Sequence, residues 1–145
     1  MLTVDQREVS DPWVQQLIVA LDQELLQIYP DMPPASPLKT PCMLVAALDA
    51  TPLGCVALHI YSSTEAEIKR LYVIPSARAR GIARHLLVLI EEQAVARGLT
   101  RMLVETGNLQ PAAIALYLRM GYSEIAPFGH YVGNPVSRCF EKSLV

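Results

Sequence analysis

The sequence predicts an α/β fold, one domain spanning residues 1–145 on a mixed sheet, and three observations predict it. Stretches of the chain repeat apolar residues at the three-to-four spacing of an amphipathic helix. Two adjacent β-prone runs read as an antiparallel hairpin. A strand, a helix and a further strand then follow in order, which requires a right-handed crossover between parallel strands. The length, 145 residues, suits one core, and 52% apolar against 18% charged residues argues for a buried sheet or a ligand cavity and against disorder.

From Asp11 to Tyr29, apolar residues fall at 14, 17, 18, 21, 25 and 28, one stripe of a helix that Asp11 caps and Pro12 opens. Five prolines follow (Pro30, Pro33, Pro34, Pro37, Pro41), removing backbone donors and fixing φ, so residues 30–41 read as a stiff surface loop. Cys42–Leu48 and Leu53–Tyr61 form the hairpin across a four-residue connection, Asp49-Ala-Thr-Pro52. A third strand, Glu65–Ile74, ends at Pro75. The turn Ser76-Ala-Arg-Ala-Arg-Gly81 opens a helix to Arg97, apolar at 82, 83, 86, 87, 90 and 94 and stopped by Gly98. Arg101–Thr106 reads as a strand and Pro111–Met120 as a short helix ended by Gly121. In the tail, Tyr122–Ile125 and Ser137–Leu144 read as strands around a Gly- and aromatic-rich loop, residues 127–135.

Twelve Lys+Arg against fourteen Asp+Glu leave a net charge of −2, which removes the electrostatic case for a nucleic-acid partner. No apolar run reaches the roughly 20 residues of a membrane-spanning helix. The N-terminus lacks the basic-then-apolar order of a secretory signal, and three widely spaced cysteines (Cys42, Cys55, Cys139) suggest reduced thiols, so the expected setting is cytoplasmic. The cysteines read as small buried hydrophobes, and no His/Cys cluster implies a metal.

The turn at 78–84 carries the chemistry. The first amides of a helix have no intrahelical partner and sit at a partial positive charge, so Arg78-Ala79-Arg80-Gly81-Ile82-Ala83-Arg84 is suited to an anion. Gly81 lets a phosphate approach the backbone, Ala83 keeps the next turn low, and three arginines add charge that pairs with phosphate oxygens. It is neither a Walker loop nor a dinucleotide fingerprint. Taken alone, a basic, alanine-rich helix start is equally a solvated helix end.

The segment Glu67-Ile-Lys-Arg-Leu-Tyr-Val-Ile-Pro-Ser-Ala-Arg78-Ala-Arg-Gly81-Ile-Ala83-Arg-His-Leu-Leu resembles the central motif of the GNAT superfamily of N-acetyltransferases, Arg/Gln-x-x-Gly-x-Gly/Ala. Gln110-Pro-Ala-Ala-Ile-Ala-Leu-Tyr117-Leu-Arg-Met-Gly121-Tyr122 is similar to its second motif, usually Asn-x-x-Ala-x-x-Leu-Tyr-x-x-x-Gly-Phe, with Gln110 where the family often has Asn. The matched segments span roughly residues 65–122, and the tail resembles small bacterial single-domain members. The resemblance implies the GNAT fold: a central, mostly antiparallel mixed sheet flanked by helices, with its parallel strands splayed at an acetyl-CoA site.

It also implies acetyl-CoA as acetyl donor, its pyrophosphate on the amides of Ala79, Arg80, Gly81, Ile82, Ala83 and Arg84, with Arg78 and Gln110 in contact and the pantetheine arm along Leu71, Tyr72 and Val73. The amide of Leu71 or Tyr72 would steady an oxyanion if the strand splays. An alkyl ammonium with a pKa of about 10.4 must lose a proton before it attacks, and Glu67 stands where several family members place a glutamate base. Read from its own neighbourhood, Glu67 is equally a solvated strand-end carboxylate. Tyr117 matches the family tyrosine that gives a proton to the departing thiolate, and it suits core packing as well.

The implied function is an acetyl-CoA-dependent N-acetyltransferase acting on a primary amine of a small molecule or peptide by direct attack in a ternary complex. Glu24, Tyr29, Phe128, His130 and Tyr131 are the residues outside the matched motifs expected to select the acceptor. A non-catalytic CoA- or acyl-CoA-binding sensor or partner subunit is the alternative. Exposed edge strands leave a homodimer open.

Overall fold

A computed structural model describes residues 1–145. Asp11 caps helix α1 (Pro12–Ile28) as its composition requires, its carboxylate accepting the Trp13 amide at 2.8 Å, and the stripe Val14, Leu17, Leu21 is buried. Helix α2 (Ile82–Ala96) buries Ile82, Leu86, Leu87, Ile90 and Ala94, and ends at Gly98, whose φ of 77° lets the Leu99 amide reach back to the Ala94 carbonyl. Helix α3 (Pro111–Arg119) starts on its proline and buries Ile114 and Tyr117.

Seven strands form one sheet: β1 (Leu2–Gln6), β2 (Cys42–Leu48), β3 (Thr51–Ile60), β4 (Glu65–Val73), β5 (Arg101–Gly107), β6 (Ser123–Ile125) and β7 (Ser137–Ser143), in the spatial order β1-β2-β3-β4-β5-β7-β6. Only β4 and β5, joined through α2, run parallel. Helix α2 covers one face over a core that includes Leu44, Val56, Leu58, Ile68, Val104 and Phe140; α1 covers part of the other face over Met43 and Val45 of β2, Cys55 and Ala57 of β3 and Tyr72 near the end of β4. No helix is long and apolar enough to cross a membrane.

Two expectations need correction. β1 was not anticipated: it is an edge strand, half-buried at best, so its side chains show no alternation. The β2–β3 connection has two residues rather than four, because Asp49 (φ 49°) and Ala50 (φ 63°) both take the left-handed conformation of a tight hairpin turn. Pro52 lies inside β3, opposite Ala47, where the register shifts between Ala46 and Ala47 and a missing donor is tolerated. Residues 30–41 carry no helix or strand, in agreement with their prolines.

Candidate active site

Between β4 and α2 the chain passes through a short 3-10 turn (Pro75–Ala77), then Ala79 (φ 64°) and Gly81 (φ 79°) in the left-handed region. Gly81 is the N-cap of α2, and no side chain caps the helix. The first helical bond, His85 amide to Gly81 carbonyl, leaves the amides of Ile82, Ala83 and Arg84 without intrahelical partners. Nothing lies within 4 Å of the position a Cβ on Gly81 would take, so this helix mouth is open. Arg80 and Arg84 are exposed and form no ion pair. Arg78 is used differently: it donates from Nε to the Val73 carbonyl (2.9 Å), pairs with Glu24 Oε1 of α1 (2.7 Å) and lies over the Tyr72 ring.

Strands β4 and β5 pair only from Glu65–Arg101 to Ile68–Val104. Beyond that point β4 keeps its bonds to β3 but has lost β5, so Leu71, Tyr72 and Val73 present a free strand edge towards the gap. The cause is a β-bulge. Between the Ala57–Lys69 and Cys55–Tyr72 pairs, Arg70 and Leu71 oppose the single residue Val56, and Arg70 takes φ 55°. The Arg70 guanidinium fastens this bend, pairing with Asp22 of α1 (3.1 Å) and donating to the Ser36 carbonyl of the proline-rich loop (3.1 Å). Gln110 precedes α3 without capping it.

On the sheet face left open by α1, Glu67 and Lys69 of β4 stand beside Glu105 of β5, because Glu67 is in register with Leu103, two residues before Glu105. Glu67 is only 2% exposed. Its Oε2 accepts from the Tyr131 hydroxyl (2.7 Å) and lies 3.4 Å from Lys69 Nζ, which also donates to that hydroxyl (3.0 Å). Oε1 has no protein partner and is not sealed from outside. Glu105 Oε2 accepts from Ser137 Oγ at 2.6 Å. Burial, and then the charge of Glu67, push the Glu105 carboxyl above the ordinary carboxylate value, against the Ser137 hydrogen bond. Burial and the same Glu67 charge push the Tyr131 phenol up, so it stays protonated.

Tyr131 is held by an aromatic chain in which Phe128 meets both Tyr61 and Tyr131 edge-on at 5.3 Å, while exposed His130 packs on Tyr131 at 4.0 Å. Tyr117 is buried against Tyr122 and Phe140, 4% exposed, yet its hydroxyl has no protein partner and is not sealed in; burial, with Glu105's charge, pushes its pKa up.

Glu67 and Tyr131 therefore meet, with Phe128 and His130 around them. Glu24 and Tyr29 do not join this group. Glu24 is taken by Arg78, and the Tyr29 hydroxyl accepts the Leu109 amide at 2.9 Å, against Gly107, where any Cβ would collide with it. Sequence reasoning missed Lys69, Glu105 and Ser137. One signal for Glu105 existed: a carboxylate directly after the apolar run Met102–Val104 of a central strand. All three cysteines are free and buried, and burial pushes the Cys55 thiol up to about 12, which makes it inert.

Comparisons with known proteins place the chain in a family and a fold. Residues 12–122 match the acetyltransferase (GNAT) family model. The chain is 41% identical over 140 residues to an IAA acetyltransferase of Azospirillum brasilense, covering 90% of each. A Klebsiella pneumoniae structure assigned to the acyl-CoA N-acyltransferases superposes with a TM-score of 0.86 at 31% identity, over 100% of this chain and 99% of that one. A GNAT acetyltransferase of Elizabethkingia anophelis with acetyl-CoA bound shares the fold, with a TM-score of 0.74 at 16% identity and 98% and 97% coverage. A coenzyme A diphosphate suits the open, uncapped mouth of α2 with its two unpaired arginines, and a pantetheine arm suits the free β4 edge. The chain belongs to the GNAT family of acetyltransferases and is an N-acetyltransferase whose donor is acetyl-CoA.

Proposed function

We propose that this enzyme acetylates the primary amine of a small molecule by direct attack within a ternary complex, with Glu67 taking the proton. The carrying observation is Glu67 itself, a carboxylate almost wholly buried one residue before the point where β4 and β5 part, with Oε2 bonded and Oε1 free. Such an atom can accept a proton from an entering ammonium, whose pKa of about 10.4 otherwise keeps it charged. Tyr131 and Lys69 hold the carboxylate in place through Oε2.

When bound, acetyl-CoA supplies an acyl carbon activated as a thioester. The amides of Ile82, Ala83 and Arg84, with Arg80, would hold the diphosphate, and the unpaired edge at Leu71–Val73 would orient the arm and offer an amide to the carbonyl oxygen. Tyr117, kept protonated by burial, would donate a hydrogen bond to the leaving sulfur. The ammonium gives one proton to Glu67 Oε1. The free amine then forms the N–C bond as the C–S bond breaks, and the second nitrogen proton ends on the departing sulfur, which the Tyr117 hydroxyl would serve as acid, so that the thiol leaves. Free buried thiols fit a reducing, cytoplasmic setting.

The test is CoA release across a panel of small primary amines. Glu67→Gln should lower kcat/KM by about 10²-fold or more, the usual reach of general base catalysis, with acetyl-CoA affinity unchanged. A panel with no release above hydrolysis, or a variant with full activity, would refute the reading.

A further inference from the structure

We infer that Glu105 selects the acceptor: its carboxylate, beside that of Glu67, makes the site specific for an amine that arrives as a cation. This rests on the amine reading above and names the class of amine. The charges facing the site are Glu67 and Lys69 from β4, Glu105 from β5 and, at longer range, exposed His130, which packs on Tyr131 and acts on Glu105; Ser137 and Cys139 of β7 and Tyr131 of the loop before it are uncharged. Lys69 is committed to Glu67 and Tyr131. Glu105 has no cationic partner at all, only the Ser137 hydroxyl on one oxygen. Glu105 is thus the carboxylate of this group that has no ion-pair partner, and an entering ammonium would supply one.

Two further polar atoms have no protein partner. Glu67 Oε1 belongs to a side chain 3% exposed, and the Tyr117 hydroxyl caps a ring in a residue 4% exposed that feels Glu105's charge. Glu67 Oε1, reachable from outside and bonded to no protein group, is free to bond an entering ligand beside Glu105. The raised proton affinity of Glu105 is consistent with a carboxylate short of a counter-charge.

The experiment compares Glu105→Gln with wild type on two sets of acceptors at pH 7: alkylamines, which are charged, and weakly basic anilines or acyl hydrazides, which are neutral. Glutamine preserves the shape and can still accept from Ser137. The variant should raise KM for alkylamines by about tenfold, the loss of one ion-pairing contact, while KM for neutral amines and for acetyl-CoA stays within about twofold. Lys69→Met, which makes the site more negative, should lower the alkylamine KM, a gain that damaged packing does not produce. Equal KM changes for both acceptor sets, or no change for either, would overturn this inference alone. Wild-type enzyme that acetylates no amine would overturn the proposed function and this inference with it.

Discussion

Tyr131 donates its phenolic proton to Glu67 Oε2 across 2.7 Å, tying the loop after β6 to the middle of β4 over 64 residues of chain. The same oxygen of Tyr131 accepts from Lys69 Nζ, so one hydroxyl sets the distance between the carboxylate and its counter-charge. Burial and the Glu67 charge push that phenol's pKa up, so Tyr131 remains a hydrogen-bond donor.

Tyr131→Phe removes the hydroxyl and leaves Glu67 with Lys69 alone. Hydrogen bonds to charged groups contribute about 1.5–3 kcal/mol, so turnover should fall about ten- to a hundredfold. Acetyl-CoA affinity should not change, since the helix mouth is untouched. Steady-state kinetics beside calorimetric titration of acetyl-CoA separates the two, and the acidic limb of the pH–rate profile should move, because the environment of Glu67 has changed.

Glu105→Gln should stabilise the protein at neutral pH. A carboxyl with a folded-state pKa above its unfolded value binds more protons folded than unfolded between those two values. Stability therefore falls as pH rises through that window, and the penalty is complete above the folded pKa. The variant carries no such penalty. Its urea midpoint should exceed that of wild type at pH 7, and the two should converge as pH falls below the unfolded value of about 4.3. A site residue that lowers stability while it serves binding is a common trade.

Ala50→Gly should stabilise the fold without touching catalysis. Ala50 holds φ 63° in the β2–β3 turn, a conformation that costs a non-glycine residue about 1–2 kcal/mol. The extra freedom of glycine in the unfolded chain returns about 0.4–1 kcal/mol of that, so a net gain of about 0.5–1 kcal/mol is expected. Urea denaturation measures it, and an unchanged kcat shows the effect is local.

The parts of this molecule legible in the sequence are those set by near neighbours. Asp11, Gly98 and Gly121 mark helix ends because caps act over a few residues, and the parallel pairing of β4 and β5 follows from chain order. The helix mouth at Gly81 is legible for the same reason: its amides and its glycine are consecutive. Where Arg78 points is not, because Glu24 lies 54 residues away on another helix. The tight β2–β3 turn was masked by Pro52, a turn residue by habit that a register shift admits into a strand. The cluster of Glu67, Lys69, Glu105, Tyr131 and Ser137 draws on three strands and a loop, and only the register of the sheet brings it together. Glu67 reads as a surface carboxylate within Glu65–Arg70; in the fold it is buried between β3 and β5 and bonded by Tyr131 of a distant loop.

The most direct test is a crystal structure of the enzyme with coenzyme A bound. The diphosphate should lie on the amides of Ile82, Ala83 and Arg84, with the arm along the β4 edge at Leu71–Val73. The sulfur should sit in the gap between β4 and β5, within hydrogen-bond reach of the Tyr117 hydroxyl and on the same side as Glu67 Oε1. A coenzyme bound elsewhere, or a sulfur on the opposite face of the sheet from Glu67, would contradict the account.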